Sequence, residues 1–287
     1  MPPATAQRPA REPVLHSLAW SHTINARTFD VPLTVRVSHE ELMPDVLACL
    51  PPGWVAGTRE STAHRFSVAL GQPPQAGRLP LVRVYRDNER IARSTDRREA
   101  MLALESALRF AVAETSARSV FVHAGVVGWR GRAIVIPGVS GSGKTTLVKA
   151  LVQAGAVYYS DEYAVLDDQG LVAPFPKPLS VRTGTSPWRA RVSVNVYDGA
   201  VGDVPIPVGL VVVTRHRPGA RWCPRPLSAG ETALALVANT LRIRQDPAAV
   251  LTRLARALPP DASGIDSDRD DADSTAAAIL AASNHWS

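Results

Sequence analysis

Apolar and polar residues alternate along three short segments in the first third of the chain: FDVPLTVRVS (29–38), HRFSVAL (64–70) and LPLVRVYR (79–86). Alternation with a period of two is typical of strands that are buried on one face. The turn-forming stretches PPGW, GQPPQAG and RDNE follow or precede these segments. We therefore predict a small β-rich α+β domain over residues 14–93, with one helix in HEELMPDVLACL. Residues 1–13, rich in Pro, Arg and Ala, are predicted to be disordered.

The pattern changes after residue 93, where stripes of apolar residues with helical spacing alternate with β-branched runs. A helix is predicted over 96–116, and a β-hairpin over 119–137. A strand is predicted over 156–162, and a second, buried strand over 207–214. Two further helices follow, the second with proline at its first position. Strands and helices that alternate in this way predict an α/β domain.

We assign this α/β domain to residues 94–260 and predict a flexible acidic tail over 261–287. The net charge of +6 is distributed unevenly. The segment 177–225 contains one Lys and seven Arg against two Asp, whereas 261–273 contains six Asp against one Arg. The basic segment is either a solvated face or a wall that faces phosphate or an acidic substrate. It contains no aromatic-interleaved basic motif, so nucleic acid is not an expected partner.

Composition is that of an ordinary globular protein, with 45% hydrophobic and 20% charged residues. The sequence contains no secretory signal and no run of about 20 apolar residues, so no membrane association is expected. The two cysteines, Cys49 and Cys223, lie far apart in the sequence. A disulfide between them stays open, and a reducing cytoplasm is the default expectation.

Residues 138–145 read GVSGSGKT and satisfy the phosphate-loop pattern G-x-x-x-x-G-K-[ST]. Glycines allow successive backbone N–H groups to turn toward an anion, and the following helix directs its positive end there. Lys144 is expected to reach the β- and γ-phosphates of ATP, and the Thr145 hydroxyl to coordinate Mg²⁺. The candidate nucleotide-binding residues are Gly138, Val139, Ser140, Gly141, Ser142, Gly143, Lys144, Thr145 and Thr146.

Two carboxylates, Asp161 and Glu162, end the strand predicted after the loop helix. Asp161 follows Lys144 by only 17 residues, which argues against a standard ATPase arrangement, and no N-K-x-D motif indicates a GTPase. We assign Asp161 as the general base that accepts the hydroxyl proton, with a purely metal-binding aspartate as the alternative. Glu162 is expected to bind Mg²⁺ directly or through water. Because side chains alternate along a strand, both face the metal only if the chain turns there, and the two roles can be exchanged.

The segment from His123 through the hairpin, the loop, Gly155 and YYSDE resembles the catalytic domain of HPr serine kinase and its relatives, over about 119–182. PFPKPLSVR (174–182) is similar to a region of HPr-kinase-related proteins that accompany peptide natural-product pathways. The resemblance implies a mixed sheet of the phosphoenolpyruvate-carboxykinase type and phosphorylation of a serine hydroxyl. The second acidic position, usually Asp in that family, is Glu162 here, and the downstream glutamate-containing motif of the bifunctional enzymes is not recognisable in 183–206. Neither phosphorolysis nor HPr as acceptor is therefore predicted.

The resemblance also implies a catalytic place for His123 beside the transferred phosphate, and a homo-oligomer, since the family forms oligomers. Lys177 and Arg182 are candidates for neutralising phosphate or guiding the acceptor, with a solvated role as the alternative. The predicted function is an ATP- and Mg²⁺-dependent kinase whose acceptor is a serine of a peptide or protein. A kinase of a small-molecule hydroxyl, a non-catalytic ATP-binding regulatory module and a basic scaffold for an acidic partner are the alternatives.

Overall fold

The computed structural model describes residues 18–71, 79–182, 189–197 and 199–286, with the backbone alone at 180–182 and 189–191. The chain divides into two compact units, Met1–Ala111 and Val112–Ser287. The boundary lies inside a helix that the sequence assigned as a whole to the second domain. The segment predicted to be disordered, 1–13, lies outside the described residues.

The first unit is built on a six-stranded mixed sheet with the order β3-β1-β2-β4-β5-β6, in which only β2 and β4 pair in parallel. Its strands are β1 (His22–Thr28), β2 (Val31–Val37), β3 (Val55–Ala56), β4 (Arg65–Leu70), β5 (Val82–Arg86) and β6 (Glu89–Ser94). A short helix, α1 (Met43–Ala48), and the first part of α2 (Arg97–Thr115) belong to the same unit. The three alternating segments of the sequence correspond to β2, β4 and β5, so the period-two pattern marked these strands correctly.

The second unit carries the glycine-rich loop. Its strands are β7 (Val120–Trp129), β8 (Arg132–Pro137), β9 (Val157–Ser160), β10 (Tyr163–Leu166), β11 (Val172–Ala173), β12 (Leu179–Arg182), β13 (Arg189–Val192), β14 (Val208–His216), β15 (Arg225–Leu227) and β16 (Ser263–Arg269). Its helices are α3 (Lys144–Gln153), α4 (Ala229–Val237), α5 (Pro247–Ala257) and α6 (Ala272–Ala282).

Eight of these strands form a mixed sheet with the order β11-β10-β7-β8-β14-β16-β15, in which β9 also pairs with β7. Strands β8, β14 and β16 are parallel, and the other pairings are antiparallel. The carboxyl ends of the three parallel strands therefore meet at one edge, and the loop 138–143 leaves β8 at this edge. Strands β12 and β13 form a separate hairpin.

The hairpin of β7 and β8 turns at Arg130 and Gly131, whose φ angles are 48° and 74°. Two consecutive positive φ values are typical of the tight hairpin turns that match the twist of antiparallel strands. The predicted hairpin over 119–137 is thus present, and it delivers the chain directly into the loop.

Helices cover both faces of the eight-stranded sheet. This is seen at β8, where neighbouring residues pack into two different cores. Ile134 and Ile136 pack in one core with residues of α3 and α6. Ala133 and Val135 pack in the other core with residues of α4 and α5. This arrangement confirms an α/β fold with mixed sheets, and the finer expectation of a phosphoenolpyruvate-carboxykinase type stays a prediction.

The segment predicted to be a flexible acidic tail is instead part of the fold. Strand β16 pairs in parallel with β14, and Ile279 of α6 is 1% exposed in the core. The buried positions of β16 include Gly264, Ser267 and Arg269, whereas the acidic residues between them are more exposed. Hydrophobicity did not mark this strand because small and charged residues occupy its buried positions.

Among the described residues, no helix is both long enough and apolar enough to cross a membrane. Cys49 is buried and Cys223 is exposed, and both are thiols.

Candidate functional site

The loop between β8 and α3 has the backbone of an anion-binding turn. Gly141 and Gly143 have φ angles of 86° and 89°, a left-handed conformation that favours glycine. Gly143 is the N-cap of α3 and supplies no side-chain cap, and a helix N-terminus of this kind is suited to binding an anion. The N–H group of Gly138 donates to the carbonyl of His123 at 3.1 Å, which fixes the start of the loop to β7.

Lys144 opens α3 and folds back over the loop. Its Nζ donates to the carbonyl oxygens of Gly138 at 2.7 Å and Val139 at 2.8 Å, and the residue is 7% exposed. A charged donor is thus held at the centre of the loop, where a phosphate would be bound.

The other candidate loop residues differ in how open they are to solvent. Val139, Ser140, Gly141 and Thr146 are exposed, whereas Gly138, Ser142, Gly143 and Thr145 are half-buried. Thr145 therefore has its hydroxyl on the inner side of the loop, toward the carboxylates described next.

Asp161 and Glu162 lie at a bend between β9 and β10, two strands that both pair with β7. The hydroxyl of Ser160 accepts hydrogen bonds from the N–H groups of Glu162 at 3.1 Å and Tyr163 at 3.0 Å, which stabilises the bend. The single strand predicted over 156–162 is therefore interrupted. As a result both carboxylates lie beside the ammonium group of Lys177. Its Nζ is 2.7 Å from Oδ1 of Asp161 and 3.7 Å from Oε2 of Glu162.

Asp161 connects this bend to the loop. Its Oδ2 accepts a hydrogen bond from the Thr145 hydroxyl at 3.0 Å, and its Oδ1 lies 3.2 Å from the Tyr158 hydroxyl. The Asp161 side chain is 1% exposed, whereas that of Glu162 is 21% exposed. Burial and the negative charge of Asp161 raise the pKa of Tyr158 far above its ordinary value, so this hydroxyl keeps its proton and remains a donor.

His123 lies on β7, directly opposite Tyr163 of β10. Burial, and then the positive charge of Lys144, lower the pKa of His123 from 6.5 to about 4, although Asp161 acts in the opposite direction. The imidazole is therefore neutral at physiological pH, with one nitrogen as donor and the other as acceptor. The structure thus brings His123, Lys144, Thr145, Asp161 and Lys177 into one site.

Two further residues belong to this site, and the sequence did not single them out. The hydroxyl of Tyr158 lies 3.2 Å from Oδ1 of Asp161. Arg269, at the end of β16, donates from Nη2 to the carbonyl oxygen of Gly143 at 2.8 Å. The only sequence signal for Arg269 was one positive charge within an acidic run.

Arg182 is the last residue of β12, and its side chain lies outside the described part of the chain.

The oxygen atoms of the site suit a magnesium ion that is bound together with phosphate. Within the described part of the chain, no group of three His, Cys, Asp or Glu side chains could form a metal centre by itself. Thr145 and Asp161 instead provide two oxygens 3.0 Å apart beside the loop. Mg²⁺ is commonly held in this way, by one or two carboxylates together with substrate phosphates and water.

Comparison with known proteins yields distant similarity to solved structures alone. No protein-family model matches the chain, and no curated protein matches it. Among solved structures, the chain is similar to the Hpr(Ser) kinase/phosphatase from Coxiella burnetii, with 13% sequence identity and a TM-score of 0.32. The similarity covers 57% of this chain and 95% of that chain.

Proposed function

We propose that this protein is an ATP- and Mg²⁺-dependent kinase that transfers the γ-phosphate to a hydroxyl, with a serine of a peptide or protein as the first acceptor to test. The contact between the Thr145 hydroxyl and Asp161 carries this proposal. It joins a phosphate-loop motif to a carboxylate pair, which is the combination that positions Mg²⁺ and an attacking hydroxyl in phosphoryl transfer.

The exposed thiol of Cys223 supports a reducing, cytoplasmic location.

The contacts support an exchange of the roles first assigned to the two carboxylates. Thr145, Tyr158 and Lys177 contact the oxygens of Asp161, and its side chain is almost fully buried. Glu162 is the more exposed of the pair and therefore the more accessible to an incoming acceptor. We assign Asp161 and Thr145 to the metal ion and Glu162 to the proton of the acceptor hydroxyl.

In this mechanism the loop N–H groups and Lys144 hold the β- and γ-phosphates. When bound, Mg²⁺ neutralises charge that develops on the phosphate oxygens. The oxygen of the acceptor hydroxyl forms a bond to the γ-phosphorus while the bond between the γ-phosphorus and the β-phosphate oxygen breaks. Glu162 accepts the proton that the hydroxyl loses in this step. Lys177, which bridges both carboxylates, and neutral His123 lie where they can orient the transferred group.

The first experiment incubates the protein with γ-labelled ATP, Mg²⁺ and an extract of the host cell. Label is then followed separately on proteins, peptides and small molecules. We expect label on one peptide or protein, and we expect Lys144→Ala to abolish both transfer and nucleotide binding. Label on a small molecule would redirect the proposal to a metabolite kinase. Bound ATP without transfer in any fraction would contradict a kinase and favour a regulatory module.

Two variants test the division of labour between the carboxylates. Glu162→Gln should lower kcat by about 10²–10⁴-fold at an unchanged Mg²⁺ requirement, because it removes only the proton acceptor. Asp161→Asn should raise the Mg²⁺ concentration needed for half-maximal transfer. Asp168→Asn, at an exposed carboxylate, serves as the control and should behave as the wild type. If Asp161→Asn lowered kcat by about 10²-fold or more while the Mg²⁺ concentration for half-maximal transfer stayed unchanged, Asp161 would be the base.

A further inference from the structure

Arg269 is the largest fully buried side chain of the described residues, with 1% of the residue exposed. Arginine is rarely buried so completely unless its charge is paired, because removal of a charge from water is costly. Among the described residues no carboxylate forms an ion pair with it, and its Nε has no hydrogen-bond partner. The nearest acidic influence is Asp271, whose Oδ1 already accepts a hydrogen bond from the N–H group of Ser274 at 2.7 Å.

The surroundings of Arg269 add positive charge. Its Nη2 contacts the carbonyl oxygen of Gly143, the N-cap of α3. The N-terminus of a helix carries a partial positive charge, and Lys144 lies one residue further on. Burial lowers the pKa of Arg269, as expected for a guanidinium that lacks compensation. A buried cation thus lies against the positive end of α3, and a bound anion would balance its charge.

The contact with Gly143 is tight and specific. A Cβ atom on residue 143 would lie 2.6 Å from Nη2 of Arg269 and would displace the guanidinium, and the φ angle of 89° by itself favours glycine here. The same carbonyl also accepts the N–H group of Leu147 at 3.2 Å, which is the first hydrogen bond within α3. The guanidinium therefore fixes the point at which the loop becomes the helix.

We propose that Arg269 is a positioning residue of the polyphosphate site, which holds the loop through the Gly143 carbonyl and supplies buried positive charge at the N-terminus of α3. This inference rests on the proposed function, since the anion that it identifies is the nucleotide phosphate. It also assigns a role to β16, because this strand places Arg269 at the edge where the three parallel strands end.

The test compares Arg269→Met with the wild type by two readouts, the affinity for MgADP and the thermal midpoint of the free protein. Methionine fills a similar volume without charge. We expect the affinity to fall about 10- to 100-fold, as is typical when a hydrogen bond to a charged group is lost. The midpoint without nucleotide should stay the same or rise, because replacement of an unpaired buried charge by an apolar side chain is often stabilising.

Arg269→Lys is the conservative variant. It keeps the charge but not the planar donor fork, so we expect an affinity between those of the wild type and Arg269→Met. Arg217→Met is the matched control at the same edge of the sheet, because Arg217 is 62% exposed and pairs with Asp268 at 3.1 Å. Its affinity for MgADP should remain within about twofold of the wild type.

A purely structural arginine gives the opposite result, a lower midpoint with unchanged MgADP affinity, and this would overturn the inference. The inference would also fall if neither Arg269→Met nor Arg269→Lys folded, since the charge would then be required for folding itself. Failure of the wild type to bind MgADP would refute the proposed function. Equal binding by the wild type and Arg269→Met would refute the role of Arg269 alone.

Discussion

Charged side chains at the candidate site form two neighbouring groups, one at the carboxylates and one at the loop. Lys177 bridges Asp161 and Glu162, so negative charge beside the loop is already partly neutralised. Lys144 and Arg269 both donate to loop carbonyls. Two buried cations are therefore located where phosphate would bind, and two carboxylates where a metal ion and a hydroxyl would bind.

His123 makes the stability of the protein depend on pH. Its pKa is about 4 in the folded protein against an ordinary 6.5, so the unfolded chain binds more protons between these values. The free energy of unfolding should therefore fall as pH decreases from about 6.5 to 4. Because His123 is only half-buried, we expect a loss of about 1–2 kcal/mol.

Chemical denaturation at pH 7 and pH 4.5 measures this effect. His123→Gln should remove this part of the pH dependence, since glutamine does not titrate. His285→Gln, at an exposed histidine, is the control and should retain the wild-type dependence. An identical loss of stability in the wild type and His123→Gln would show that other groups cause it.

At the scale of elements, close packing of β7 against α3 positions Lys144 and Thr145. Gly125 makes this possible, because a Cβ atom there would lie 2.5 Å from Cγ2 of Val148. Valine has few alternative rotamers in a helix, so the helix itself would have to move. The distance between strand and helix thus determines where the loop and the first turn of α3 lie.

We expect Gly125→Ala to lower the free energy of unfolding by about 1–3 kcal/mol, as is typical of an overpacked core, and to weaken MgADP binding. The double variant Gly125→Ala/Val148→Ala should recover part of both losses, because it removes the clashing methyl groups. Gly230→Ala is the control within α4, where a Cβ atom meets nothing within 4 Å. If the single and double variants were equally impaired, the clash would not be the cause.

Elements with a strong local signal were the ones that the sequence identified. The hairpin of β7 and β8 has a turn with glycine, and α3 follows a glycine-rich loop, so local rules sufficed. The sequence raised a turn at Asp161 only as a condition for both carboxylates to face one metal ion, because the bend depends on Ser160 and on pairing of β9 and β10 with one strand. Strand β16 was missed because its inner positions include Gly264, Ser267 and Arg269.

At the scale of the whole second unit, the site combines segments that are distant in sequence. Lys144 and Asp161 come from neighbouring elements and were identified together, although their roles remain proposals. Arg269 follows Gly143 by 126 residues and reaches it only because β16 lies next to β14, which lies next to β8. Such long-range contacts follow from strand order, which local sequence patterns do not specify.

Removal of residues 261–287 tests whether the C-terminal segment is part of the folded unit. Ile279 and Trp286 are 1% and 7% exposed in the core that also contains α3, so the truncated chain should lose cooperative thermal unfolding of the second unit. Ile279→Ala is the milder variant and should cost about 2–5 kcal/mol, as is typical of a large-to-small core substitution. Leu234→Ala, at a residue 66% exposed, is the control and should change stability by less than about 0.5 kcal/mol. A truncated protein with an unchanged thermal transition would instead support the flexible tail that the acidic composition predicted, and would detach Arg269 from the site.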